Sequence, residues 1–175
     1  MNETMNVILT RRSVRKYTDE MPKKEDLEQI IQAGLYAASG KGGQSSIIVA
    51  VTDKALRDRL MEMNRKVGGW AEGFDPFYGA PAVLLVLAKK NTPFTVADGS
   101  LTMGNLMLAA HALGLGSCWI NRAREAFDTD EGKALLRQLG LEGEYEGIGH
   151  CVVGYPMGET PAPKPRLEGR VIWVE

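Results

Sequence analysis

Hydrophobic residues follow two spacings along this chain, one typical of amphipathic helices and one typical of buried strands. Residues 23–38 carry apolar side chains at helical spacing and acidic side chains in the first turn, so they predict a strong amphipathic helix. Residues 47–52 and 81–88 are continuous apolar runs, which predict two buried strands. Asp53 is placed to cap the helix that follows it. The rest of the pattern predicts helices at 6–10, 54–67, 96–113, 124–127 and 130–139, and strands at 117–120, 147–153 and 170–174.

The helix predicted at 96–113 is apolar around most of its circumference, which indicates a position at the centre of the fold or in an oligomer interface. Residues 39–44 and 68–79 show no period and predict loops, and the proline-rich residues 156–165 exclude regular structure. Only ten residues follow that segment. They are too few to form a domain, so we expect one domain over residues 1–175 whose tail docks on its own body or on a partner.

The composition is that of an ordinary globular protein, with 175 residues, a formal net charge of −1, 44% hydrophobic residues and 25% charged residues. A nucleic-acid-binding domain usually carries a basic face, so the near-neutral charge argues against that class. The apolar stretches are too short to cross a bilayer, and we expect no signal peptide at the N-terminus. Cys118 and Cys151 lie in apolar segments and predict two buried thiols in a cytoplasmic protein.

Two basic clusters stand near the ends of the chain, at residues 11–15 and 164–166. Arginine presents a planar fork of donors that matches phosphate oxygens, lysine adds a compact positive charge, and Ser13 adds a hydroxyl donor. Because the chain as a whole is not basic, these clusters are local features. Each is interpreted either as half of a phosphate site or as a solvated basic patch.

Most standard catalytic sites are missing from the sequence. Residues 40–43 are glycine-rich but lack P-loop spacing, and the two histidines and two cysteines show no metal-ligand spacing. A nucleophile pair of Cys118 and His150 is geometrically possible, but the sequence offers no third residue to orient it. His111 is interpreted as a core histidine. Phosphate capture without acid–base groups is expected where a bound cofactor carries the chemistry.

Four motifs resemble those of the nitroreductase family of flavoproteins, in the order in which that family has them. They are the basic segment at residues 11–17, the helix at 23–38 with its Ser-Gly-Lys-Gly-Gly-Gln loop, residues 114–120, and Gly154-Tyr155-Pro156 followed by Lys164-Pro165-Arg166. The best fit is to the short subgroup that has Gly-x-Gly-x-Gln in the second motif. The resemblance extends over nearly the whole chain.

The resemblance implies an α+β fold with a central mixed β-sheet flanked by helices. It also implies an intertwined homodimer in which the C-terminal strand crosses to the partner's sheet, with two equivalent FMN sites at the interface. The strand predicted at 170–174 and the apolar helix predicted at 96–113 are then expected to take part in the dimer.

The resemblance also implies roles for the basic clusters. Arg11 and Ser13 match positions that hold the phosphate and ribityl oxygens of FMN, and Arg12 matches a neighbour that contacts the cofactor largely through its backbone. Lys164 and Arg166 match a second clamp on the same phosphate. Together these matches predict that the two clusters form one site.

Two further positions match contacts to the flavin ring. Arg15 matches a cation near flavin N1 and O2, where positive charge stabilises the anionic reduced flavin. Asn121 matches the position whose backbone N–H meets flavin N5, the atom that accepts hydride.

The second motif is expected to reach the flavin site of the partner subunit. Ser39, Gly40 and Gly42 match the loop that makes this contact, and Gln44 matches the position that closes the motif. The chain departs from larger family members here, since those carry proline and asparagine where this chain has Ala38 and Gly42. Backbone contacts to the flavin are therefore expected to replace side-chain contacts in this loop.

The family often has a longer helical excursion over the flavin than the one available in this chain. Aromatic side chains stack well on flat, electron-poor substrates, so the four aromatic residues of the excursion are candidate walls of a substrate pocket. These are Trp70, Phe74, Phe77 and Tyr78. The alternative interpretation is that they cap the hydrophobic core.

The resemblance implies an FMN-dependent NAD(P)H oxidoreductase that works by a ping-pong cycle. NAD(P)H would give a hydride to flavin N5, and a nitroaromatic, quinone or related acceptor would then be reduced. No side chain is expected to serve as acid, base or nucleophile, and no metal is expected. The alternative is a flavin-binding protein without turnover, serving as a redox sensor or storage module, and the sequence alone does not separate the two.

Overall fold

The computed structural model describes residues 2–175. Its helices are α1 (Glu3–Thr10), α2 (Lys24–Leu35), α3 (Lys54–Gly68), α4 (Thr95–Ala112), α5 (Ala123–Asp128) and α6 (Asp130–Gln138). Its strands are β1 (Ser46–Val51), β2 (Ala82–Lys89), β3 (Gly116–Ile120) and β4 (Tyr145–Gly154). A 3-10 turn at Gly40–Gly42 lies between α2 and β1. These bounds agree with the predicted elements to within a few residues, except at the two chain ends.

The strands form one sheet in the order β1-β2-β4-β3. All three strand pairings are antiparallel, and an irregularity between Val86 and Leu87 shifts the register of the β2–β4 pair. The α+β class with helices around a central sheet is confirmed. The resemblance implies a mixed sheet, but the four strands pair only antiparallel. Within residues 2–175, parallel pairing is limited to an isolated bridge between Ser13 and Ser117.

The sheet separates two hydrophobic cores, because successive side chains of a strand point to opposite faces. Val83, Leu85 and Leu87 of β2 face a core closed by α3, α5 and α6. Leu84 and Val86 face a second core closed by α2 and α4. Burial of both faces explains why the strands read as continuous apolar runs in the sequence.

Side-chain caps fix the starts of three helices. Asn2 accepts a hydrogen bond from the backbone N–H of Met5 at 2.8 Å, so α1 begins earlier than the sequence pattern predicts. Asp53 caps α3 as predicted, accepting from the N–H of Leu56 at 2.8 Å. Thr129 caps α6 in the same way. Each cap satisfies a donor that the helix itself leaves unpaired.

The strand predicted at 170–174 is not formed. Residues Val171 to Val174 are 71–92% exposed and pair with no strand of the described chain. A strand needs a ladder partner, and the proline-rich residues 156–165 that precede the tail form no helix or strand. The apolar tail is therefore left without a surface to cover it in the single chain.

A second apolar surface lies on α1 and α4. No residue of α1 is buried, and Met5, Ile8 and Leu9 on it are exposed. Val96 and Leu101 on α4 are exposed as well. Even so, none of the helices within residues 2–175 combines the length and apolar composition that crossing a membrane requires.

We expect the Asp53→Ala variant to lower the free energy of unfolding by about 1 kcal/mol, because the cap of α3 is lost. Chemical denaturation monitored by circular dichroism measures this change. Asp53→Asn is the matched control, since the asparagine oxygen caps a helix about as well. Equal destabilisation by both variants would show that charge, and not the capping bond, supplies the stability.

Candidate functional site

The structure brings the two basic clusters together, although about 150 residues separate them in the chain. They line a cavity of about 580 Å³ at the end of α1. Its walls are formed by Ile8, Leu9, Arg11, Arg12, Ser13, Pro163, Lys164 and Arg166. Four of these residues are cationic and none is acidic, so the cavity is suited to an anion.

The arginines of the first cluster retain unused hydrogen-bond donors. Arg12 Nη1 donates to the carbonyl oxygens of Leu9 and Arg11, at 2.9 and 2.6 Å, which fixes its side chain against the end of α1. Arg11 Nη1 and Arg12 Nε are buried and have no hydrogen-bond partner among the described residues. A buried donor without an acceptor is costly, so the unused nitrogen of Arg11 is suited to an oxyanion ligand.

The segment that carries Ser13 is fixed to the ends of two strands. Ser13 bridges Ser117 of β3, and the N–H of Val14 donates to the Ser117 carbonyl at 3.0 Å. Tyr17 bridges Pro156 just beyond β4, and its hydroxyl donates to the Val14 carbonyl at 2.7 Å. Burial raises the pKa of Tyr17 above its ordinary value, so its hydroxyl stays protonated. These contacts hold the first basic cluster against β3.

The close contact between this segment and β3 requires a glycine. A Cβ atom at Gly116 would lie 2.9 Å from the side chain of Val14, which is too close for any other residue to be accommodated without movement. The glycine therefore allows the basic segment to approach the start of β3.

Arg15 lies beside the basic cavity and faces a neighbouring one. That second cavity measures about 460 Å³ and shares Ser13 with the first. The Arg15 guanidinium lies 6.0 Å from the centre of the Tyr78 ring, within the range of a cation–π contact. A positive charge thus stands next to the anion cavity but separate from it.

The loop of the second motif is held by a buried carboxylate. Asp98, in the first turn of α4, accepts hydrogen bonds from the backbone N–H of Gly40 and the hydroxyl of Ser45, both at 2.8 Å. Lys41 and Gln44 take left-handed backbone conformations, with φ of 55° and 46°. Side chains other than glycine avoid this region, so the loop conformation is strained and Asp98 helps to impose it.

The same loop lies far from the basic cavity of its own chain. Its predicted contact residues are Ser39, Gly40, Gly42 and Gln44. The loop packs at the N-terminal end of α4, while His111 at the other end hydrogen-bonds Thr10 beside the basic cluster, Nε2 to Oγ1 at 2.8 Å. The thirteen helical steps from Asp98 to His111 span about 20 Å. In a single chain, the loop and the anion cavity therefore belong to separate sites.

Asn121 follows directly on β3 and lines a third cavity of about 400 Å³ with Trp119 and Arg122. Its carbonyl oxygen accepts a hydrogen bond of 2.6 Å from Nδ2 of Asn64. Arg122 takes a left-handed conformation with φ of 77°. Asn64 could not be recognised from the sequence, because an asparagine near the end of an amphipathic helix is usually solvated.

The Cys118–His150 nucleophile pair considered from the sequence is not formed. His150 contacts Asn64, with 3.3 Å between Nδ1 and Nδ2, and packs on Phe77. Burial lowers the pKa of His150 to about 3, although the Ile120 backbone raises this pKa by a smaller amount. The imidazole is therefore neutral. Burial also raises the pKa of the Cys118 thiol, although the Arg15 charge opposes it. A protonated thiol and a histidine engaged elsewhere do not make a nucleophile.

The four aromatic residues of the excursion do not lie together. Trp70 and Phe74 are 36% and 41% exposed and stack with 5.6 Å between ring centres. Tyr78 is half-buried beside Arg15. Phe77 is fully buried between the imidazole of His150 and the guanidinium of Arg57, so its prediction as a pocket wall is wrong.

Arg57 explains why Phe77 is drawn into the core. Its guanidinium is buried, donates to Asp75 Oδ2 at 2.6 Å and to the Ala80 carbonyl at 3.1 Å, and lies 5.5 Å from the Phe77 ring centre. Asp75 in turn accepts from the N–H groups of Phe77 and Gly79. The second half of the excursion, from Asp75 onwards, is therefore held against α3 by hydrogen bonds, while Trp70 and Phe74 in the first half lie at the surface.

Within residues 2–175, no group of three or more histidine, cysteine, aspartate or glutamate side chains is arranged to hold a metal ion.

Residues 8–155 match the sequence profile of the nitroreductase family. The NADPH-flavin oxidoreductase of Vibrio harveyi is 33% identical, with 98% of this chain and 73% of that protein covered. The FMN reductase [NAD(P)H] of Bacillus subtilis strain 168 is 29% identical over 95% of this chain and 71% of that protein.

The fold is shared with solved structures of the same family. The crystal structure of a nitroreductase with bound FMN from Bacteroides fragilis superposes with a TM-score of 0.92 at 29% identity, and the match covers all of both chains. The chain therefore belongs to the nitroreductase family.

Acid should destabilise the fold through His150. Below pH 6.5 the unfolded chain binds a proton at this residue, whereas the folded chain resists it down to about pH 3. Between those values, stability should fall by up to about 1.4 kcal/mol per pH unit as the pH drops.

Denaturant titrations of the wild type and of His150→Leu at several pH values test this expectation. The difference in unfolding free energy between the two proteins should shrink as the pH falls from 7 to 4. His111→Leu is the control, and its effect should depend less on pH because His111 is only partly buried. A difference for His150→Leu that stays constant with pH would contradict a buried neutral imidazole.

Proposed function

Starting from membership of the nitroreductase family, we propose that the chain is an FMN-dependent NAD(P)H oxidoreductase acting on nitroaromatic, quinone or related acceptors. The observation that carries this proposal is the cavity where Arg11, Ser13, Lys164 and Arg166 meet, together with a buried guanidinium nitrogen of Arg11 that has no partner among the described residues. Relatives named as FMN-binding or flavin-reducing proteins support the choice of FMN as the anion.

The FMN phosphate fits the chemistry of this cavity. Arg11 would donate to phosphate oxygens through the nitrogen that has no partner, and Ser13 would add a hydroxyl donor. Lys164 and Arg166 would close the phosphate from the side of the tail. Arg12 is already engaged with backbone carbonyls, which suits a contribution through its backbone rather than its side chain.

Arg15 and Asn121 are the residues that would hold the flavin ring. Bound FMN would accept hydride from NAD(P)H at N5 and pass it to the second substrate. Arg15 supplies a positive charge that stabilises negative charge on the reduced ring, and its position over Tyr78 restrains the guanidinium. The backbone N–H of Asn121 would orient towards N5.

The protein groups near this site are suited to binding and orientation rather than to proton transfer. The His150 imidazole is buried and neutral, and the Cys118 thiol is held protonated. Trp70, Phe74 and Tyr78 are the remaining candidates to stack on an acceptor. Two free buried thiols also fit a cytoplasmic location, which we propose from the redox state alone.

We further propose that the active unit is a homodimer with two equivalent sites. The second-motif loop, with Ser39, Gly40, Gly42 and Gln44, lies too far from its own basic cavity to take part in it, so it would serve the partner's FMN. Three features without a partner in residues 2–175 support this assembly, namely the apolar tail at 171–174, the apolar surface of α1 and α4, and the unpaired backbone edge of β1. An exchanged tail strand would pair with that free sheet edge.

The purified protein is expected to be yellow and to lose FMN when the clamp of the tail is removed. Each lost charge-assisted contact costs about 1.5–3 kcal/mol, so Lys164→Ala combined with Arg166→Ala should weaken FMN binding about a hundredfold or more. Fluorescence titration of flavin-free protein with FMN measures this. Lys133→Ala combined with Arg137→Ala, on the exposed face of α6, is the matched control.

Turnover is tested on the same yellow protein without oxygen. Bleaching by NADH or NADPH, followed by recovery of the colour when a quinone is admitted, is the expected result. A yellow protein that does not bleach would favour the redox sensor or storage module. A protein that cannot be reconstituted with FMN would overturn the proposed function.

Removal of residues 170–175 should convert the dimer to a monomer, because the exchanged strand is lost. Sedimentation velocity at micromolar concentration measures the change in mass. Removal of Glu175 alone is the control, since it leaves Val171, Ile172, Trp173 and Val174 in place. A wild-type monomer would contradict the dimer, and a truncated protein that stays dimeric would assign the interface to α1 and α4 alone.

A further inference from the structure

We propose that Asn64, oriented by His150, is a positioning residue that holds the peptide group between Asn121 and Arg122 in the conformation the flavin edge requires. The link to the flavin rests on the function proposed above. The hold on the peptide group rests on the structure of this chain alone.

Asn64 lies on the buried face of α3, near its C-terminal end, and has no exposed surface. Its Nδ2 atom lies 2.6 Å from the carbonyl oxygen of Asn121 and 3.3 Å from Nδ1 of His150. An amide nitrogen has two hydrogens, one for each acceptor. The opposite orientation of the amide would place two oxygen atoms face to face, so the carbonyl of Asn121 decides which way Asn64 points.

His150 completes the arrangement as a hydrogen-bond acceptor. Because it is neutral, one ring nitrogen is unprotonated, and the donor on Asn64 selects Nδ1. The rings of Phe77 and Phe127 lie 5.0 and 6.4 Å from the imidazole, between centres, and restrict its rotation. His150 also pairs with Ile120 across the β3–β4 ladder, one residue before Asn121.

This bond fixes more than one carbonyl. In a trans peptide the C=O and N–H groups point in opposite directions, and the chain has no cis peptide bond among residues 2–175. With the Asn121 carbonyl turned inward to Asn64, the N–H of Arg122 is turned away from the core. Both residues line the same cavity, so Asn64 sets how the backbone is presented there.

The conformation that is held is one the chain would not adopt by itself. Arg122 has φ of 77°, and a residue with a side chain pays about 1–2 kcal/mol to enter the left-handed region. The short hydrogen bond from Asn64 opposes relaxation of this strain. Backbone strain maintained by surrounding structure is typical of functional sites.

The Asn64–His150 pair also costs folding stability. Asn64 Oδ1 and His150 Nε2 are buried and have no hydrogen-bond partner among the described residues. An apolar pair of similar size would avoid that cost, since unsatisfied buried polar atoms destabilise a fold. A positioning role accounts for a polar pair at this place in an otherwise apolar core.

The decisive variant is Asn64→Leu, which keeps the size of the side chain and removes both donors. Met63→Leu is the control, because Met63 is buried on the same turn of α3 but lacks any polar contact. Amide hydrogen exchange of the full-length protein, read by NMR with and without FMN, is the first measurement. The N–H of Ala126 donates to the Arg122 carbonyl at 2.9 Å, so its exchange should accelerate about tenfold in Asn64→Leu when the turn is released, and stay unchanged in the control.

The second measurement is the reduction of bound FMN by NADPH in a stopped-flow instrument. Asn64→Leu should slow this step about tenfold and shift the flavin midpoint potential, while FMN affinity stays nearly constant because the phosphate cavity is untouched. Unchanged amide exchange in Asn64→Leu would overturn the proposal. Faster exchange with unchanged flavin reduction and potential would overturn the link to the flavin.

The proposal and the proposed function fail in different ways. If the wild type binds no FMN but exchange still accelerates in Asn64→Leu, the hold on the peptide group stands and the flavin function falls. If Asn64→Leu does not fold, His150→Leu takes its place in both measurements. It removes the acceptor that orients Asn64, so exchange at Ala126 should still accelerate, and unchanged exchange would overturn the proposal.

Discussion

Burial of the central strands on both faces is the constraint on which the rest of the structure depends. β2 and β4 lie between two hydrophobic cores, so nearly every position along them is occupied by an apolar side chain or a glycine. Groups that meet a charged ligand cannot be placed there without large desolvation costs. The chain instead brings them in on segments that pass the ends of the strands: residues 11–17 against β3, the turn after β3, and the tail after β4.

The same constraint explains how much the sequence revealed. Helix and strand periods, the cap at Asp53 and the basic clusters are local patterns, and a sheet with two buried faces leaves long apolar runs that are easy to recognise. Asn64 and Asp98 have no local pattern. An asparagine late in a helix or an aspartate in a first turn is ordinary in sequence, and each becomes notable only when a distant backbone group folds against it.

Two departures from the predictions share a physical origin, because local sequence does not say what covers a side chain. Phe77 resembles its neighbours Trp70 and Phe74 in sequence, but the Arg57 guanidinium, paired with Asp75, packs against its ring in the core. The tail at 170–174 has the apolar character of a strand but lacks a ladder partner in its own chain. Within its own chain the tail therefore has the sequence of a strand without the pairing of one.

The basic cavity makes the contact between the tail and the rest of the molecule depend on charge, which apolar contacts alone would not do. Arg11, Arg12, Lys164 and Arg166 carry like charges, so bringing them together costs electrostatic free energy. An anion in the cavity replaces this repulsion with attraction to both clusters. Since one cluster ends α1 and the other precedes the tail, a bound anion would favour one path for residues 163–166. If the tail also forms the dimer contact, then ligand binding and assembly are thermodynamically coupled, and each must strengthen the other.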